Sequence, residues 1–118
     1  MIIDLSSAWT PTQAEFDLFA RISGDDNPIH VDPAFSARTA FGRTVSHGML
    51  IYTKLWGMLT AAHPEITQVS QTMMFPNPCY TGEQVELTVS GVCPGTLTVR
   101  ALRAEDGAEL LVGETEVA

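Results

Sequence analysis

Basic side chains are scarce in this sequence. Lys and Arg number six against fourteen Asp and Glu in 118 residues, a formal net charge of -8. Such a field repels nucleic acid and anionic lipid headgroups, so partners of those classes are not expected. Cysteine is scarcer still. Cys79 and Cys93 are the two present and lie far apart, which excludes a disulfide framework or a close-spaced zinc site and predicts free thiols in a reducing compartment. Long hydrophobic runs are missing too: the longest apolar stretch, Gly48 to Ala62, is interrupted by Lys54 and is short for a membrane span. Met1 to Thr10 hold an acid and no base, unlike a secretory signal, so a cytoplasmic location is expected. What is present is ordinary: 45% hydrophobic and 17% charged residues, over the length of one domain, taken as residues 1–118.

The apolar stretch reads as a helix. Met49, Leu50, Ile51, Tyr52, Leu55, Trp56, Met58 and Leu59 put apolar side chains almost all round a 3.6-residue wheel, so other elements must wrap it. Downstream, Val85, Leu87 and Val89 alternate with Glu86, Thr88 and Ser90, and Leu97, Val99 and Ala101 continue the pattern, the period of half-buried strands. Strands are expected near Val69 to Phe75, Glu83 to Val92, Thr96 to Ala104 and Leu110 to Val117, separated by turn signals at Gly82, Pro94-Gly95 and Asp106-Gly107. Short connections of this kind imply antiparallel pairing. The class is α+β, with a sheet curling over one apolar helix.

The first third carries the candidate chemistry. Thr12 and Glu15 have capping-box spacing ahead of Phe16, Phe19 and Ala20, which predicts a helix ending near Ile22 to Gly24. The run Ser23-Gly24-Asp25-Asp26-Asn27-Pro28-Ile29-His30-Val31-Asp32-Pro33 follows. Its turn formers place Asp25 and His30 on a tight loop, and Asp32-Pro33 opens a second short helix through about Ala40. A carboxylate and an imidazole are thus held close together. Turn and capping hydrogen bonds alone, or a divalent cation on Asp25, Asp26, Asn27, His30 and Asp32, are the competing readings, although no calcium-loop spacing is present. Farther on, Ser46 is a candidate N-cap for the apolar helix. Its first backbone N–H groups then emerge at the positive end of the helix dipole, and Gly48 has no Cβ to block a substrate carbonyl. Tight packing of the helix start is the other use for that glycine.

The run Phe19 to Pro33, with Ala37, Phe41 and His47-Gly48, closely resembles the hydratase motif of the MaoC-like and R-specific enoyl-CoA hydratases. The likeness continues more loosely through Phe75, Pro78, Gly82, Glu83 and Val85. The resemblance implies the hot-dog fold, a curved antiparallel sheet wrapped around a central helix. It also implies reversible hydration of a trans-2-enoyl thioester to an (R)-3-hydroxyacyl thioester. Asp25 and His30 would be catalytic, the Gly48 N–H the oxyanion donor, and Asn27 and His47 would support the site. No cofactor or metal is implied, because CoA or phosphopantetheine belongs to the substrate, an acyl-CoA or an acyl group on a carrier protein. Arg38 and Arg43 are candidates for the CoA phosphates, and Met49, Tyr52 and Trp56 for limiting the acyl chain to short groups. At least a homodimer is expected, since such sheets pair edge to edge. A hot-dog thioesterase and a noncatalytic acyl-binding subunit are the alternatives from other classes.

Overall fold

The computed structural model describes all residues, Met1–Ala118. Strand β1 (Ile2–Trp9) leads into helix α1 (Gln13–Ser23). Two single-turn helices follow, α2 (Pro28–Val31) and α3 (Pro33–Ser36), and then the long helix α4 (Gly48–Ala62). Strands β2 (Gln68–Met74), β3 (Val85–Val92), β4 (Gly95–Arg103) and β5 (Glu109–Val117) complete the chain. All five strands form one antiparallel sheet in the order β1-β3-β4-β5-β2.

The alternation in β3 and β4 does what its period predicts. Val85, Leu87, Val89, Leu97, Val99 and Ala101 are buried against α4, while Glu86, Thr88 and Ser90 face outward. Leu50, Ile51, Leu55 and Leu59 from α4 complete that core. Burying each such side chain is worth about 1.5–3 kcal/mol, so α4 is held by packing and not by its own propensity. The wrapping is incomplete, however. Met49, Thr53, Gly57 and Ala61, one helical stripe, are exposed, because the sheet covers only one side of α4.

Strand β1 was not anticipated. Ser6 and Ser7 interrupt its apolar pattern, and its partner β3 lies far along the chain, pairing Ile2 with Val92 and Trp9 with Val85. The chain between β2 and β3 is also no hairpin. β2 closes the far edge of the sheet beside β5, so Phe75 to Gln84 must cross back, and it does so past the start of α4 through a bridge between Val45 and Tyr80. That crossing builds one wall of the site. No helix is long and apolar enough to cross a membrane.

Candidate active site

Helix α1 sets the position of the loop that follows it. Thr12 and Glu15 form the full capping box, and Gly24 ends the helix in the left-handed conformation at φ 81°, its N–H donating to Ala20 O at 2.9 Å. Only glycine takes this geometry without strain, and the reversal delivers Asp25 at once into the site. The Asn27 carboxamide oxygen then accepts the Ile29 N–H at 3.2 Å and Pro28 occupies the first helical position. His30 therefore sits on a one-turn helix, not on the loop expected, because Asn-Pro is a start signal as much as a turn signal. α3 is likewise shorter than expected and stops at Ser36, although Asp32 caps it as predicted.

His30 is buried and tightly oriented. Its Nδ1 lies 2.8 Å from the Val45 carbonyl, an acceptor, so Nδ1 carries the proton and the neutral ring presents a bare Nε2. That Nε2 lies 3.6 Å from Asp25 Oδ2. Below the ring, Gln13 donates to the His30 carbonyl at 2.8 Å and accepts from Thr44 Oγ1 at 2.7 Å, tying α2 to α1. His47 stacks on His30 with ring centroids 3.9 Å apart and an interplanar angle of 24°. Its Nε2 lies 2.8 Å from the Asp25 carbonyl. Burial holds the His47 imidazole below its ordinary value against the opposing pull of that backbone hydrogen bond, and the neighbouring His30 acts in the same direction as burial.

Ser46 does not cap α4. His47 occupies the N-cap position without a side-chain cap bond, and the Ser46 hydroxyl donates instead to the His47 carbonyl at 2.9 Å. The Gly48 N–H makes no backbone hydrogen bond and remains available at the positive end of a 15-residue helix. Asp25, His30, His47 and Gly48 together face a cavity of about 580 Å³ walled by Phe41, Met49, Phe75 and Cys79, with Ile51 and Leu110 among its lining. The arrangement joins a carboxylate, an imidazole lone pair and an unpaired backbone donor at one apolar pocket. It can hold a water, take its proton and stabilise a developing oxyanion.

The other expected residues are placed elsewhere. Of the three channel candidates only Met49 lines the cavity. Tyr52 is buried in the core with its hydroxyl 3.0 Å from Gln68 Oε1, and Trp56 stacks behind it. Arg43 is paired with Glu83 at 3.0 Å and lies over the Tyr80 ring, while Arg38 is exposed and off the cavity. Asn27 is likewise occupied as the cap of α2 and does not line the pocket. Sequence reasoning missed Phe75 as an active-site wall. The Phe75-Pro76-Asn77-Pro78 run was its available signal, an aromatic next to a stiff segment that cannot continue a strand. Leu110 gave none, since its role depends on where β5 pairs. Asp25, His30 and His47 also group closely enough to suggest a metal site. Of the His47 nitrogens, Nε2 is committed to the Asp25 carbonyl and Nδ1 has no partner.

Comparisons with known proteins bear on the family and the fold. The family model described as MaoC like domain matches residues 3–105. The (R)-specific enoyl-CoA hydratase of Aeromonas caviae is 37% identical over 112 residues, covering 88% of this chain and 83% of that protein. The mitochondrial 3-hydroxyacyl-[acyl-carrier-protein] dehydratase of Arabidopsis thaliana is 33% identical over 67 residues, 57% of this chain and 40% of that one. Among solved structures, the (R)-hydratase from A. caviae involved in PHA biosynthesis superposes with a TM-score of 0.90 at 32% identity, over 98% of this chain and 93% of that one. The chain has the hot-dog fold, and it belongs to the MaoC-like family.

Proposed function

We propose that this protein catalyses the reversible hydration of a trans-2-enoyl thioester to an (R)-3-hydroxyacyl thioester. The observation that carries the reading is the pairing of Asp25 Oδ2 and His30 Nε2, 3.6 Å apart, beside the unpaired Gly48 N–H. A water between the two acceptors donates one O–H to each and turns its lone pair toward C3 of the substrate. Asp25 accepts the proton as the C3–O bond forms. Negative charge moves through C2 to the thioester oxygen, where the Gly48 N–H receives it. The Asp25–His30 pair then returns one proton to C2, so the net change is addition of one water across the double bond. General base help is worth about 10²–10⁴-fold and one oxyanion donor about 10²–10³-fold.

The relatives named for enoyl-CoA and for acyl-carrier-protein substrates support a thioester on a phosphopantetheine arm, and we propose CoA as the carrier. A short acyl group remains the reading, with Ile51 and Leu110, which line the cavity where Tyr52 and Trp56 do not, as the candidates to limit it. The open strand edges at β1 and β2 favour pairing with a second copy of the chain.

The test is loss of the conjugated absorbance of crotonyl-CoA by wild type and by Asp25→Asn, with free thiol assayed in parallel. Loss of the band without thiol, abolished in Asp25→Asn, is expected. Thiol release points to a thioesterase, and binding without reaction to a noncatalytic subunit.

A further inference from the structure

We infer that His47 is the positioning residue through which Asp25, His30 and the Gly48 N–H are held as one unit. The inference rests on the hydratase reading for its kinetic arm and on geometry alone for the rest. His47 touches each part differently. Its ring stacks on His30 at 3.9 Å, its Nε2 bonds the Asp25 main chain at 2.8 Å, and its own peptide runs directly into Gly48. Asp25 is otherwise held only by its own loop, its N–H donating to Ser23 Oγ at 3.2 Å and its Oδ1 accepting the Asn27 N–H at 3.5 Å, with its side chain 55% exposed, so the shorter bond from His47 is what ties that loop to the start of α4 beside His30.

The hydrogen-bond chemistry fixes the state of the ring. The Asp25 carbonyl is an acceptor, so His47 carries its proton on Nε2. His47 Nδ1 is buried and has no partner. A second proton there would be an unsatisfied buried donor on a cation stacked against His30, costly on both counts. The titratable groups facing the ring are His30 from α2 and Asp25 from the loop after α1, while α1 itself presents only Phe16 and Phe19, both edge-on. His47 therefore stays neutral, leaving His30 as the one imidazole of the pair that turns a free nitrogen toward Asp25.

The test compares three substitutions. In His47→Gln the amide nitrogen occupies the place of Nε2 and still reaches the Asp25 carbonyl. In His47→Asn it occupies the place of Nδ1 and does not. His47→Phe keeps an aromatic stack without a donor. Because misplacement of a reacting group by about 1 Å costs about 100-fold, kcat should fall about 10- to 100-fold in the Asn and Phe variants and be largely restored in Gln. KM should change by less than about threefold, since what is lost is positioning and not substrate binding. Equal losses in Gln and Asn, or wild-type kcat in Phe, overturn the inference. A second measurement does not depend on turnover. Imidazole ¹⁵N–¹H correlation spectra of the wild type should show His47 as the Nε2–H tautomer, with His30 resonances displaced in His47→Asn and retained in His47→Gln. An Nδ1–H tautomer, or joint protonation of the two rings, overturns it. Wild-type inactivity toward crotonyl-CoA with the expected spectra removes the hydratase reading and leaves the positioning role standing.

Discussion

Asp25 and His30 meet across 3.6 Å as two acceptors, a carboxylate oxygen and an imidazole nitrogen whose ring proton is already committed to the Val45 carbonyl. Such a pair has no bond of its own to make in the neutral state and serves a shared donor. The two residues should therefore act on one water. Asp25→Asn and His30→Ala are each expected to lower kcat by about 10²–10⁴-fold. The double variant should fall far short of the product of the two effects, because the second substitution removes a partner the first has already disabled. Steady-state hydration rates of the four proteins measure the coupling. A fully multiplicative double loss would show that the residues act on separate steps.

Gly48 has a second reason to be glycine. A Cβ built there would lie 2.7 Å from the Phe75 ring, closer than real Cβ contacts come. Gly48→Ala keeps the backbone N–H yet must push the aromatic wall of the cavity outward. It should lose both thermal stability and activity, in line with overpacking costs of about 1–3 kcal/mol. Phe75→Ala in the same chain removes the clash and should return most of the stability lost to Gly48→Ala. Thermal melts of the two single variants and the double variant decide it. A double variant as unstable as the sum of the two singles would mean that the glycine is needed for a different reason.

How far the sequence carried this picture depends on the range over which each signal acts. The α1 capping box, the Asp32 cap, the apolar α4 and the alternation of β3 and β4 are local patterns, and each sits where its pattern put it. Asp25, His30 and Gly48, singled out by chemistry and resemblance together, meet at one cavity. Pairings that close over long separations were not. β1 joins β3 across most of the chain, and β2 docks on β5 instead of its sequence neighbour. Phe75 and Leu110 reach the cavity only through those pairings. Tyr52 and Trp56 were misplaced because a helical wheel shows which residues are apolar and not which of them face a cavity.

Acid should weaken the fold through His47. Burial holds its folded value below the ordinary 6.5, so above that pH both folded and unfolded chains keep the ring neutral and it costs nothing. As pH falls below 6.5 the unfolded chain takes up a proton that the folded chain refuses, and stability declines until the folded value is reached. Urea denaturation between pH 7.5 and 5 should show this loss, and His47→Gln, which cannot titrate, should show a shallower one. Identical slopes in the two proteins would remove His47 as a source of the acid sensitivity.

Cys79 lines a pocket proposed to receive an electrophilic alkene, and its own chemistry decides whether it survives there. Burial pushes the thiol up to about 12, with Glu83 adding to the effect and Arg103 opposing it. The thiolate is the nucleophile, so at neutral pH almost none is present to add to C3 of an enoyl thioester or to an alkylating reagent. Cys93 is buried as well, and neither forms a disulfide. Native protein at pH 8 should resist iodoacetamide over hours, and both thiols should alkylate within minutes in denaturant, as read by intact mass. Prompt labelling of Cys79 in the native protein would show that the pocket wall opens at that point, and slow inactivation by enoyl thioesters would then be expected.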